Sequence, residues 1–181
     1  MTVAAGLKAA MRQLPGGVAI LSTRDPLAAQ APVGIAVSSV ISVTMDPPSM
    51  LVAVNRTTSI HGPLGRAGRF CLNLLGVDHQ ELVKVFSSGE RRDERFRDPA
   101  WQERHGLDFL DGATCIFCRT ASTHVCGTHE LFIGEVFDVV VAPAAQPVAW
   151  MQGALQVLAP LAREPHTEDV WIPGWDTYPP A

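Results

Sequence analysis

Long apolar runs are missing from this sequence. No stretch reaches the roughly 18 residues that a membrane-spanning helix requires, so no span and no membrane partner are expected. The opening "MTVAAGLKAAMRQLPGG" has neither the extended apolar centre nor the small-residue cleavage site of a secretory signal. An excess of basic charge is missing too. The formal net charge is -4, which offers no electrostatic footprint for nucleic acid. Cysteine is sparse, at four in 181 residues. With no secretory signal, four thiols read as reduced side chains rather than a disulfide frame. A cytoplasmic protein is therefore the default expectation.

Chemical signatures are also lacking. No G-x-S-x-G elbow is present, and no local context activates a particular hydroxyl or thiol as a nucleophile. The glycines of "HGPLGRAG" are spaced G-x-x-G-x-x-G, which matches neither the dinucleotide fingerprint nor a Walker loop. One C-x-x-C occurs, at Cys115 and Cys118, without a second. Its surroundings, "ATCIFCRTAST", read as a strand, where residues three apart point to opposite faces and cannot grip one ion. Cys71, Cys115 and Cys118 are therefore expected to be small buried hydrophobes. No internal repeat or low-complexity segment is found.

What is present suits one packed domain: 47% of the residues are hydrophobic and 18% charged. Ala4, Leu7, Lys8, Met11 and Leu14 predict a helix over 2–14, stopped by "PGG" at 15–17. Strands are predicted at 18–23, 33–43, 49–55, 69–75, 113–125 and 129–142. The 33–43 segment carries Val33, Ile35, Val37, Ser39, Ile41 and Val43 on one face. A second helix is predicted over 78–86 with Asp78 as N-cap, and 87–112 reads as a polar, arginine-rich loop. From about residue 160 proline is dense and periodicity is lost. That tail, with Trp171 and Trp175, is expected to dock on the body of the protein or on a partner. Many strands, few helices and no βαβ unit point to an antiparallel barrel with helical decoration.

Four segments hold candidate chemistry. "NRTTSIHGPL" leaves a strand at Asn55 and turns toward a helix, with hydroxyls at Thr57, Thr58 and Ser59. Free amides and hydroxyls there make an anion site, or Ser59 simply caps the helix. "AVSSV" puts Ser38 and Ser39 in an apolar strand, bonded to a neighbouring strand or facing a polar ligand. "ERRDERFRD" at 90–98 is a solvated face or a basic flap. "CGTHELFIGEV" at 126–136 reads as a metal clamp, a nucleophile–base pair, or a hairpin presenting His129.

Taken in order, "AMRQLPGGVAILST", "PVGIAVSSVISVTMDPPSMLVAVNRTTSIHGPL", "AGRFCLNLL" and "GTHELFIGEV" resemble the flavin reductases of the flavin-binding split barrel, over roughly residues 7 to 153. The resemblance implies a mainly β fold, a six-stranded antiparallel Greek-key split barrel with a few short helices, over residues 1–159, followed by the 160–181 tail. It implies a homodimer that binds FMN or FAD, takes hydride from NADH or NADPH, and supplies reduced flavin to a monooxygenase component. It carries flavin contact onto Val37, Ser38, Ser39, Asn55, Thr57, Thr58 and Ser59, more loosely onto Arg95 and Phe96, and a catalytic role onto His129. No metal is implied.

Two features depart from the family pattern. The usual G-D-H is "GTH" here, with Thr128 in place of the acid. The closing "WMQGALQVL" keeps one aromatic, Trp150, and lacks the second aromatic and the arginines. A flavin holder without turnover, a holder of another planar cofactor such as haem, and a reductase of another acceptor such as a corrinoid are the alternatives.

Overall fold

The computed structural model describes residues 1–142 and 145–159. The tail expected from residue 160, with Trp171 and Trp175, lies outside them. Helix α1 (Val3–Met11) begins at Thr2, whose hydroxyl accepts a hydrogen bond from the Ala5 amide at 3.2 Å, as a capping residue does. It is shorter than the periodicity suggests, and none of its side chains is buried. The strands then follow: β1 (Gly16–Gly17), β2 (Ala19–Asp25), β3 (Ala31–Val37), β4 (Val40–Met45), β5 (Pro48–Asn55) and, after helix α2 (His61–Ala67), β6 (Arg69–Leu74). Helix α3 (Gln80–Ser87) leads to β7 (Trp101–Arg104), β8 (Leu107–Leu110), β9 (Thr114–Cys126), β10 (His129–Val140), β11 (Val148–Met151) and β12 (Ala154–Val157).

Seven strands join in the order β3-β2-β6-β9-β10-β5-β4. β3 and β4 are its two edges, yet only Ser38 and Ser39 separate them in the chain. Three Cα–Cα steps span at most about 11 Å, so the sheet has to curl until its edges approach. That closure makes the barrel. The expected single strand over 33–43 is in fact two. Ala31–Val37 pairs with β2, whereas Val40–Met45 pairs with β5, and the chain bends between them because each half serves a different edge. Hydrogen-bond ladders therefore count seven strands where six were expected. β10 and β9 lie between β5 and β6 in the sheet, and α2, packed against β2 and β6, links the two in Greek-key fashion.

β2 shows why a continuous apolar run was needed. Ala19 and Leu21 point into the barrel with Val52, Val54, Phe70, Leu72 and Phe132. Ile20 points outward, into a second core with Val83, Phe86, Leu107, Leu110 and Phe117. Alternation along the strand feeds both cores. The outer core is roofed by α3 and by the β7–β8 hairpin, which falls within the segment expected to be loop. Asn73 pins that hairpin to the barrel: its Oδ1 accepts from the Leu110 amide at 2.8 Å, and its Nδ2 donates to the Ile20 carbonyl at 3.0 Å. Asp78 does not cap α3. A 3-10 turn over Val77–His79 precedes the helix, and His79 Nδ1 accepts from the Gly76 amide at 3.0 Å.

Cys115 lies in the outer core and Cys118 in the barrel interior. They face opposite ways, as strand geometry requires, and burial pushes the Cys118 thiol up to about 12.

Candidate functional site

The long hairpin β9–β10 turns at Gly127, where φ is +57°, a conformation glycine adopts without strain. The turn delivers His129 to the first position of β10, directly opposite Asn55, the last residue of β5. Asn55 organises the segment that follows. Its Oδ1 accepts from the Thr57 amide at 3.0 Å and the Thr57 hydroxyl at 2.9 Å, and its carbonyl accepts from the Thr58 hydroxyl at 2.7 Å. The Arg56 amide donates to the Thr128 carbonyl at 2.9 Å, which stitches this turn to the histidine's hairpin. Four expected site residues, Asn55, Thr57, Thr58 and His129, thus form one connected patch.

An anion needs donors, so where these hydroxyl protons go matters. Thr57 and Thr58 give theirs to Asn55. Ser59 has no side-chain hydrogen bond among the described residues, and it does not cap α2, whose N-cap is Ile60 with no side-chain bond. Among the side chains of this turn, the Ser59 hydroxyl and the exposed Arg56 guanidinium have no hydrogen-bond partner among the described residues. Arg56 was not picked out from the sequence, where it reads as one more surface arginine between Asn55 and Thr57. A second missed pair lies just inside: His61 Nε2 is 2.7 Å from Glu130 Oε2, with both side chains largely buried. Hydrogen bonds from Thr123 and His61 hold the Glu130 carboxyl below its usual range.

Ser38 and Ser39 are exposed rather than buried. Ser39 bonds to the neighbouring strand, its hydroxyl donating to the Ala53 carbonyl at 2.7 Å and its own carbonyl accepting from the Ala53 amide at 3.2 Å. Ser38 has no side-chain partner among the described residues. With Val37 it edges a cleft of about 130 Å3 whose other walls are Val18, Ala36, Val83, Ser87 and Trp150. Apolar walls with two hydroxyls at the rim suit a planar heteroaromatic ring.

Arg95 and Phe96 have a different setting. The Arg95 guanidinium donates to the carbonyls of Gly34 at 2.7 Å, Phe86 at 3.1 Å, Ser88 at 2.7 Å and Val85 at 3.4 Å. One N–H remains. Phe96 packs against Phe86 and Trp101, with ring centroids 5.1 and 4.7 Å apart. Both residues share a cleft of about 390 Å3 with Ser59, but their principal contacts hold the outer core together.

His129 Nδ1 lies 2.9 Å from the Thr128 hydroxyl, and its Nε2 has no partner among the described residues. A threonine hydroxyl can donate or accept here, whereas an aspartate would only accept. The imidazole is therefore oriented by a hydroxyl rather than by a carboxylate.

A flavin fits this set. The Val37–Trp150 cleft offers an apolar wall, Ser38 a free hydroxyl, and Arg56 with Ser59 a cation and a donor for phosphate. Residues 11–159 match the model of the flavin reductase like domain. The reductase component of an FADH2-dependent resorcinol hydroxylase from Rhizobium sp. is 33% identical over 150 residues, covering 82% of this chain and 83% of that one. An FMN reductase (NADH) of Methylorubrum populi is 31% identical, covering 86% of this chain and 76% of its own length. The structure of the styrene monooxygenase flavin reductase from Pseudomonas putida S12 superposes with a TM-score of 0.77 at 28% identity, covering 87% of this chain and 99% of that one. The chain belongs to the flavin reductase like domain family.

Proposed function

We propose that the protein is an NAD(P)H:flavin oxidoreductase that supplies reduced flavin to a partner monooxygenase. The flavin, FMN or FAD, supplies the redox chemistry when bound, accepting a hydride from NADH or NADPH. The chain's own residues bind, orient and exclude water. Val37 and Ser38 present the wall along which the ring lies, and Trp150 closes its far side. Asn55 shapes the turn that offers Ser59 and Arg56 to the phosphate. His129, through the unpaired Nε2, hydrogen-bonds the nicotinamide carboxamide or the flavin edge and so fixes the relative placement of the two rings.

One observation carries this reading: the ladder sets His129 across from Asn55, so that the groups for ring orientation and for phosphate sit on adjoining strands. The test is anaerobic mixing of the protein with FMN or FAD and NADH or NADPH, following the oxidised-flavin band at roughly 450 nm. Rapid bleaching is the expected result, and the four combinations name the preferred pair. Flavin that binds and stays yellow would mean a holder without turnover. That second reading draws on the closing "WMQGALQVL", which lacks the family's terminal arginines.

Residues 1–159 are the flavin-binding unit of this proposal and 160–181 an appendage to it. The working form is a cytoplasmic homodimer. Exposed apolar side chains support a partner surface: Val3, Leu7 and Met11 along α1, and Ile41, Val43 and Met45 along β4. On each element they lie close in sequence rather than scattered singly.

A further inference from the structure

At the C-terminal end of α2, about 10 Å of helix from the 55–59 turn, two arginines stand side by side. Arg69 and Arg119 are direct partners in the β6–β9 ladder. Like charges at opposed positions destabilise a strand pair, and a guanidinium cannot shed its proton to escape. Nearby carboxylates do not resolve the conflict. Glu135 is opposite Arg119 across the β9–β10 ladder, yet no ion pair joins the two among the described residues. The Arg119 guanidinium lies instead 5.5 Å from the centroid of Phe137. Asp138 is engaged by Arg104 at 2.8 Å and His105 at 2.7 Å.

The surroundings form a receptacle. Arg69, Arg119, His105 and Phe137, with Ala67 and Gly68 at the helix end, line an open cleft of about 510 Å3. Arg69 is held there by its Nη1, which donates to the His105 carbonyl at 3.1 Å. Its remaining N–H groups and all five of Arg119 have no hydrogen-bond partner among the described residues. Paired guanidinium forks match the oxygens of a phosphoryl group, which accept two parallel N–H bonds from each.

We propose that this cleft is a binding site for a phosphoryl dianion bridged between Arg69 and Arg119. The occupant is inorganic phosphate or the phosphate of a phosphomonoester, and its charge relieves the repulsion between the two arginines. The site is separate from the residues assigned to flavin and stands whether or not that assignment holds.

The test is calorimetric titration of the full chain, at fixed ionic strength set with chloride, with inorganic phosphate, 5′-AMP and adenosine in turn. Saturable binding of phosphate or 5′-AMP at one per chain, with none of adenosine, is expected. Equal affinity for both means that the phosphate group alone is read; preference for 5′-AMP means that the monoester is the occupant. Arg119→Gln is expected to weaken binding at least tenfold and to leave the melting temperature in phosphate-free buffer unchanged or raised, since one of two repelling charges is gone. Arg119→Lys keeps the charge without the fork and is expected to bind with intermediate affinity; it serves if the glutamine variant does not fold. Absence of phosphate and 5′-AMP binding to the wild type, or binding that neither variant alters, would overturn the proposal.

Discussion

His129 and Asn55 face each other across the first rung of the β5–β10 ladder, and Asn55 Oδ1 in turn holds both the amide and the hydroxyl of Thr57. A residue beside the hairpin turn and a residue that shapes the turn we propose for phosphate are thereby locked at strand-pair distance. The register of one ladder sets the spacing between two proposed site elements that are far apart in the sequence.

His129→Ala removes the imidazole and leaves the rung intact, because the ladder bonds are backbone bonds. A single hydrogen bond contributes about 0.5–1.5 kcal/mol, so kcat/KM for the nicotinamide should fall about 2- to 13-fold. Unchanged flavin affinity would identify the nicotinamide as the partner of Nε2, and a matching loss of flavin affinity would identify the flavin edge. Steady-state turnover with a varied nicotinamide checks this, and unchanged kcat and KM would remove His129 from the reaction.

Asn55→Ala acts on the other partner. Thr57 loses the acceptor for its amide and its hydroxyl, and the turn carrying Arg56 and Ser59 is no longer fixed. Flavin dissociation, followed by fluorescence titration, should weaken about tenfold, equivalent to about 1.4 kcal/mol. Restored affinity in Asn55→Asp, whose carboxylate offers the same acceptor, would tie the loss to that acceptor. Failure of the aspartate to restore it would point instead to a clash of charge with the flavin phosphate.

Arg95→Ala separates a structural clamp from a flavin contact. The change strands the carbonyls of Gly34, Phe86 and Ser88, each within 3.1 Å of the guanidinium. Losing charge-assisted bonds of this kind should cost about 3 kcal/mol or more, or roughly 6–12 °C in Tm for a chain of this size. Flavin affinity of the folded fraction should stay within about twofold. A tenfold loss of affinity at unchanged Tm would reverse the assignment.

The barrel strands were legible because each carries a run or an alternation that only a sheet can bury. The β9–β10 hairpin was read nearly to its ends, since Gly127 marks its turn, and the opposed faces of Cys115 and Cys118 followed from period two. The break at Ser38–Ser39 was hidden because the period-two pattern, interrupted only by Ser39, continues from Val33 to Val43 while the pairing partner changes. The β7–β8 hairpin was hidden by its polar residues, although Trp101, Leu107, Phe109 and Leu110 tie it to the core. Gly134 gave no sign of its task either. A Cβ there would lie 2.6 Å from Phe70 Cζ and 2.7 Å from Cys118 Cβ, a closeness that exists only after three strands have come together. Within the site, His129 and the 55–59 turn were legible as a pattern. The His61–Glu130 contact joins residues 69 positions apart, and no local spacing announces it.

That contact predicts a pH dependence with a definite sign. Thr123 and His61 hydrogen-bond the ionised Glu130 carboxyl, and the charge of Arg56 adds to them, so the folded value lies below the glutamate reference of 4.5. The unfolded chain binds the proton more readily than the folded one. Glu130 therefore contributes its stability above about pH 4.5, and the contribution fades as pH falls from there through the lower folded value. Glu130→Gln keeps the shape and removes the titration. The Tm difference between wild type and Glu130→Gln should narrow as pH falls from about 4.5 through the lower folded value. Comparing the two proteins at each pH cancels the other carboxylates held low, Asp25, Glu81, Glu94 and Asp138. Because the pair joins the start of α2 to β10, flavin affinity should weaken over the same acid window in the wild type alone. A Tm difference that stays flat down to pH 3 would show that Glu130 is not stabilised as the carboxylate, and the latch between helix and strand would have to be sought in other contacts.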